Sequence, residues 1–296
     1  MYKRVTLLFL LLLILSSCQN KYEKNTLSYQ TNMLLDKNVS VISVYSSSAM
    51  DSSPWKSPFS VKEFVSRLFY QVLQNKITLY NPIFDDTIFH PLDKEAWLSL
   101  LKNNKQQTFD TTEFSDFYFY EHWTLDTTES FLFNKEVVFW SPIKYNKEEK
   151  SKILTGKVSC SDTSNLQLLA KHVIYEFLLD DTLNVNRSLN KNLLVKLIID
   201  KALNGQIPVY HPNNGKKLSK NELNERLDIT DSSLYMPYYN IYSLVFIENW
   251  YYNPNTFAIK KEIVGIAPVK QIYLDDEVTK SIIFVLFLKE KPFTLL

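Results

Sequence analysis

The sequence predicts an α+β fold of two related halves, each a helix–strand–helix unit followed by an antiparallel β-meander. The first observation behind this is an internal duplication. Phe119, Glu121, Trp123, Lys135, Pro142 and Lys144 recur in the same order as Phe246, Glu248, Trp250, Lys261, Pro268 and Lys270. Upstream, Leu73-Gln74-Asn75-Lys76-Ile77-Thr78-Leu79-Tyr80-Asn81-Pro82 is echoed by Leu203-Asn204-Gly205-Gln206-Ile207-Pro208-Val209-Tyr210-His211-Pro212. The offset between the copies drifts by only a few residues, so short insertions alone separate them. The second observation is helical spacing, behind capping residues such as Ser60 and Ser219, in each half. The third is a run of aromatic and β-branched segments that closes each half.

Taken in order, the chain starts with an address. Lys3 and Arg4 precede an apolar run over residues 5–15, and Leu15-Ser16-Ser17-Cys18 follows. That run is too short to span a membrane and suits a signal peptide. The whole resembles a bacterial lipobox, which predicts a signal peptide over residues 1–17 and lipidation of Cys18. A multiply acylated N-terminus anchors stably where a single chain is marginal. No acidic run follows Cys18, which favours an outer-membrane anchor facing the periplasm. Residues 18–51 read as a polar tether, with one strand over 39–45.

The first α+β repeat is expected over residues 52–160. Ser60 and Glu63 match a capping box ahead of Val61, Phe64, Val65, Leu68, Phe69 and Val72 at helical spacing. A short strand over 77–80 and a helix over 93–102 follow. Strands are predicted over 114–124, 130–141 and 153–159 by their aromatic and β-branched content. Residues 161–189 read as a connector, with an amphipathic helix over 165–179 that has no counterpart in the first half. The second repeat, 190–296, replays the order. Its helix over 190–203 ends at Asn204-Gly205, and Ser219 with Glu222 caps the next one. Strands follow over 239–252, 257–273 and 281–288.

Composition narrows the function. Hydrophobic residues make up 45% of the chain and aromatic ones 14%, enough for a sizeable core. Without Lys3 and Arg4 the chain is close to neutral, which argues against a nucleic-acid partner. Four glycines in 296 residues disfavour a fold built on Gly-rich phosphate loops. With Cys18 lipidated, Cys160 stands alone, so no intramolecular disulfide is predicted. Cys160 reads as a small packed residue, since nothing near it in sequence looks like an activating base.

No catalytic, cofactor or metal site is predicted. Glu121 and His122 are strand neighbours and point to opposite faces, and the second copy has Asn249 in place of His122. The four histidines lack metal-site spacing. The acidic clusters at 180–181 and 275–277 lack calcium-loop spacing. The repeated hairpin reads instead as structure. Placing Trp123 opposite Phe133 sets Glu121 opposite Lys135 and Phe119 opposite Val137; likewise Trp250 faces Ile259, Glu248 faces Lys261 and Phe246 faces Ile263. Tyr235, Tyr238, Tyr239, Tyr242, Tyr251 and Tyr252 crowd one segment. They suit either a glycan- or peptide-binding face or sheet residues with one wet end.

The second half resembles the GldN/PorN-type periplasmic components of the Bacteroidota type IX secretion and gliding machinery. The resemblance is carried by Asn204-Gly205-Gln206-Ile207-Pro208-Val209-Tyr210, by Glu248-Asn249-Trp250-Tyr251-Tyr252, and by Ile263-Val264-Gly265-Ile266-Ala267-Pro268-Val269. Ile283-Phe284-Val285-Leu286-Phe287 ahead of Pro292 matches more loosely. It implies a non-enzymatic protein that assembles into a large ring with a lipoprotein partner under the outer membrane. Two departures stand out. The lipobox is on this chain, where the partner usually carries the lipid. Phe139-Trp140 replaces Gly-Ile in the first copy. The expected partners are envelope proteins of a multi-subunit complex and the membrane, through the lipid. The alternative is an envelope lipoprotein that binds glycan or peptide.

Overall fold

The computed structural model describes residues 39–47, 57–82, 89–101, 113–126, 132–146, 151–179, 189–229, 238, 240–274 and 277–295. The signal segment, the lipobox with Cys18, and Tyr235 and Tyr239 lie outside them. The fold is α+β, dominated by two antiparallel sheets with few helices.

The elements run β1 (Val39–Ser46), α1 (Val61–Leu73), α2 (Lys94–Leu101), β2 (Phe114–Asp126), β3 (Leu132–Asn146), β4 (Ser151–Leu154) and β5 (Val158–Ser159). They continue with β6 (Gln167–Leu178), α3 (Lys191–Leu203), α4 (Lys220–Arg226), β7 (Ile241–Tyr252), β8 (Ile259–Leu274), β9 (Glu277–Ile282) and β10 (Leu286–Phe287). In the first sheet β1 pairs with β2, β2 with β3, and β3 with both β4 and β5. In the second, β6 pairs with β7, β7 with β8, and β8 with both β9 and β10.

The helix starts are fixed locally. Ser60 Oγ accepts the Glu63 amide, Asp93 Oδ1 the Ala96 amide and Asn190 Oδ1 the Leu193 amide. At Ser219 the full reciprocal box with Glu222 forms. After α1 and α3 the chain reverses through a left-handed residue, Asn75 in one case and Gly205 in the other.

Pro142 and Pro268 sit inside long strands, where a missing N–H would ordinarily break a ladder. Each lies at the seam where the outer partner of its strand changes, between β5 and β4 for Pro142 and between β10 and β9 for Pro268. The proline carbonyls still accept, from the Thr155 and Ile283 amides.

Four expectations need correction. The short strand expected over 77–80 is reduced to isolated bridges from Tyr80 to Pro91 and Lys157. Residues 165–179 are not a connector helix: Gln167–Leu178 is the edge strand β6. Val173, Tyr175 and Phe177 point inward while Ile174 packs on the far face, so apolar residues on both sides imitate a helical stripe. The strand placed in the tether is β1, an integral edge of the first sheet. The hairpin register is shifted: Trp123 lies opposite Lys135 and Trp250 opposite Lys261, while Glu121 and Glu248 face Val137 and Ile263. Both hairpins run further toward their turns than expected, and a bulge follows at Tyr120/Glu121 and again at Ile247/Glu248.

The inner faces of both sheets, together with α1 and α3, share one apolar core. Sheet twist and aromatic packing bring β3 against β8. Smaller apolar clusters cover the outer faces, one under residues 285–295 in the second sheet and one around Tyr118, Phe139 and Ile143 in the first.

Candidate functional site

The repeated residues converge on the centre of the shared core. The register observed, rather than the one expected, still keeps Glu121, Trp123 and Lys135 on one face, as strand parity demands, and does the same for Glu248, Trp250 and Lys261. The ion-pair partners of these glutamates and lysines are not within the same hairpin. Lys135 Nζ lies 2.8 Å from Glu248 Oε1, and Lys261 Nζ lies 2.6 Å from Glu121 Oε1. The lysine of each hairpin thus pairs with the glutamate of the other. All four side chains are 0% exposed.

The second oxygen of each carboxylate is taken by the tryptophan two residues on. Trp123 Nε1 donates to Glu121 Oε2 at 2.7 Å, and Trp250 Nε1 to Glu248 Oε2 at 2.8 Å. Each ammonium also sits against a phenylalanine of the opposite hairpin. Lys135 Nζ is 3.1 Å from the Phe246 ring centroid and Lys261 Nζ is 3.3 Å from that of Phe119. In a dry interior such cation–ring contacts add to the ion pair. Phe119, Glu121, Trp123, Lys135, Phe246, Glu248, Trp250 and Lys261 are therefore one cluster. Pro142 and Pro268 are not part of it and belong to the strand seams.

One member was missed from the sequence. Tyr175 on β6 receives a hydrogen bond from Lys135 Nζ at 2.9 Å and donates to Glu248 Oε1 at 3.0 Å. The helical reading of 165–179 hid it. A signal was present: Val173-Ile174-Tyr175-Glu176-Phe177 parallels Val41-Ile42-Ser43-Val44-Tyr45 of β1, and Ser43 and Tyr175 face Phe119 and Phe246 in equivalent registers.

The electrostatics follow from burial and pairing. Burial alone would raise the Glu121 pKa, but Lys261, Lys135 and the hydrogen bonds outweigh it and hold the carboxyl below its usual range. Burial pulls Lys135 below its usual value, and Glu248 and Glu121 only partly restore it. Burial, then the two carboxylates, push the Tyr175 phenol well up. The four charged side chains of the cluster are shut off from solvent.

The other candidate groups fall elsewhere. The second repeated lysine lies at the end of a helix in each half: Lys144 Nζ caps Leu101 O at 3.1 Å, and Lys270 Nζ meets Asp228 at 2.6 Å, just past α4. His122 and Asn249 face away from the cluster; Asn249 holds the His172 amide and Glu290. Burial pushes the Cys160 thiol up to about 12, and its sulfur accepts the Ile259 amide. Tyr252 is buried, with the Arg67 guanidinium 5.6 Å over its ring, and Tyr251 bonds Glu262. Among the described residues, no three His, Cys, Asp or Glu side chains group as a metal site. No helix among them is long and apolar enough to cross a membrane.

Residues 162–290 match the family described as gliding motility associated protein GldN. The GldN match covers less than half of the chain and runs from just before β6 to just after β10. It contains Tyr175, Glu248, Trp250 and Lys261, and it encloses the segments from which the resemblance was read. The second half is therefore GldN-like, with the gliding-motility association that the family's description carries. No curated protein matches the chain.

Proposed function

We propose that the chain is a non-catalytic structural and assembly component of an envelope gliding or secretion complex, held at the membrane by a lipid on Cys18. The GldN match over residues 162–290 supports the process. The observation that carries the non-catalytic role is the fate of the repeated charges. Both Glu–Lys pairs run between the two hairpins at 0% exposure, so the arrangement repeated in the two hairpins serves to join them. The two halves are read as copies of one β–α–α–β–β–β–β unit that fold only as a pair. The partners on this reading are envelope proteins of a multi-subunit complex, with the outer membrane reached through the lipid.

Affinity purification of the full chain from mildly solubilised envelopes tests this. Recovery in a large complex with other envelope proteins is expected. Recovery as a free monomer, with glycan or peptide as its bound ligand, would turn the reading toward a ligand-binding lipoprotein. For the anchor, Cys18→Ala should shift the protein from the detergent phase to the aqueous phase on partitioning. Unchanged partitioning removes the lipid from the proposal.

A further inference from the structure

The two halves differ at the surface between the end of their first helix and the start of their second. The surroundings are closely matched. Residues 71–80 and 201–210 show the same alternation of buried and exposed positions. The Leu92 amide bonds Leu79 O, as the Leu218 amide bonds Val209 O. These bonds place Trp97 and Leu223 in equivalent positions, and likewise Lys94 and Lys220, and Asn75 and Gly205.

In the first half this junction is closed. Lys94 Nζ crosses it to Leu73 O at 2.8 Å and Asn75 Oδ1 at 3.0 Å. Beneath, the Trp97 indole packs edge-on against Phe69 with centroids 5.1 Å apart. In the second half each of these fillers is lost. Leucine stands in place of the indole. Glycine at 205 offers no side-chain acceptor, and a Cβ there would meet nothing within 4 Å. Lys220 is exposed. The result is a groove of about 490 Å³ with an apolar floor that includes Ile207, Val209, Leu218 and Leu223. Lys217 and Lys220 stand at its rim; both are exposed.

We infer that this groove docks an extended acidic peptide segment of a partner protein, which inserts one aromatic side chain. The anchor chemistry follows from the exchange between the halves: the Trp97 indole packs on Phe69 in the first, and the smaller Leu223 lines the groove in the second. The flanking chemistry follows from charge complementarity with Lys217 and Lys220, which steers the approach and fixes the register. An aromatic anchor seated in a pocket is a common arrangement of interface hot spots. The inference deepens the assembly reading by naming one contact, and it rests on that reading for its purpose.

The test pans a random peptide library against the purified full chain. Selected sequences should carry Asp and Glu around one Trp, Phe or Tyr. Three variants then locate the site. Leu223→Trp refills the floor. Gly205→Asn returns the acceptor that closes the first-half junction, at a left-handed position that asparagine tolerates and where there is open space. Lys217→Glu with Lys220→Glu reverses the rim. Each should weaken the selected peptides at least about tenfold, and the rim reversal should favour basic sequences on reselection. Should Leu223→Trp fail to fold, the two surface variants decide. Selection of peptides without an acidic-aromatic pattern, or equal binding by the Gly205 and rim variants, overturns the groove. Neither result bears on whether the chain co-purifies with envelope proteins, so failure here and failure of the assembly reading remain distinguishable.

Discussion

A buried ion pair is poor evidence of stability by itself. Removing two charges from water costs several kcal/mol each, and their attraction offsets this only with good geometry and full hydrogen bonding. Here both conditions hold. Glu121 accepts from Lys261 and Trp123, and Glu248 accepts from Lys135, Tyr175 and Trp250. The cluster therefore acts mainly through what happens when it is broken. Glu121→Gln leaves Lys261 charged and uncompensated at 0% exposure. A loss of about 3–5 kcal/mol is expected, a large part of the roughly 5–15 kcal/mol that a domain has. Replacing the pair together, Glu121→Leu with Lys261→Met, should recover most of that loss in urea unfolding. Losses in the double variant equal to the sum of the two singles would show that the residues do not act as a pair. Acid sensitivity follows the same pair. The folded Glu121 pKa is depressed, so the unfolded chain takes up this proton at higher pH than the folded one. The stabilisation is complete above the ordinary carboxylate range and is lost as pH falls toward the folded value. The double variant should show a shallower acid limb. At this scale the sequence revealed the residues and their common face but not their partners, because register rules for one hairpin consider only the strand beside it.

Among the elements, most strands and helices were legible because their periodicities agree with their caps. β6 was not. Its outer face carries Ile174 against a second apolar cluster, and a bulge at Ala170/Val173 breaks the alternation of two. Both features blur the signature of a strand toward that of a helix. The departure from the family pattern at Phe139 also has an element-scale cause. In β8, Gly265 lets Leu286 of β10 and the Ile247 side chain come close: an added Cβ would lie 3.0 Å from Ile247 Cδ1 and 3.1 Å from Leu286 O. In β3, Phe139 occupies the equivalent position. It stacks on Tyr120 with centroids 5.1 Å apart and planes 2° apart, and the Lys157 ammonium lies 4.6 Å from its ring. One face thus accepts a close strand and the other a stacked aromatic. Gly265→Ala is expected to cost about 1–3 kcal/mol through overpacking against backbone that cannot swing away. An unchanged melting temperature would mean that β10 shifts freely, and that its approach to β8 is not what the glycine serves.

At the scale of the whole molecule the two sheets interlock through one aromatic core. Trp250 of the second hairpin packs on Tyr45 and Phe119 of the first sheet, with centroids 5.0 and 5.1 Å apart. Trp123 of the first packs on Phe177 and Phe246 of the second, at 4.9 and 5.4 Å. The exchanged ion pairs lie between these aromatic contacts. Each half therefore carries one lysine and one glutamate whose compensating charges are on the other. Separated, a half would expose its inner aromatic face and bury or hydrate an unmatched pair, since within one hairpin Glu and Lys are displaced by two residues along the strands rather than opposed. The repeated words were legible in the sequence; the interlock was not, because each motif looks self-sufficient when read along one chain segment. This gives the sharpest test of the architecture. A fragment over residues 161–296, which includes the GldN-like segment, is expected to lack a cooperative thermal transition and to aggregate when expressed alone. Co-expressed with residues 39–160, it should be recovered as a soluble complex of the two fragments with a single transition. Glu121→Gln in the first fragment should weaken that complex, since Lys261 sits in the second. A fragment 161–296 that folds and melts cooperatively alone would show that the second half is a self-contained domain and that the crossed charges are secondary to its stability.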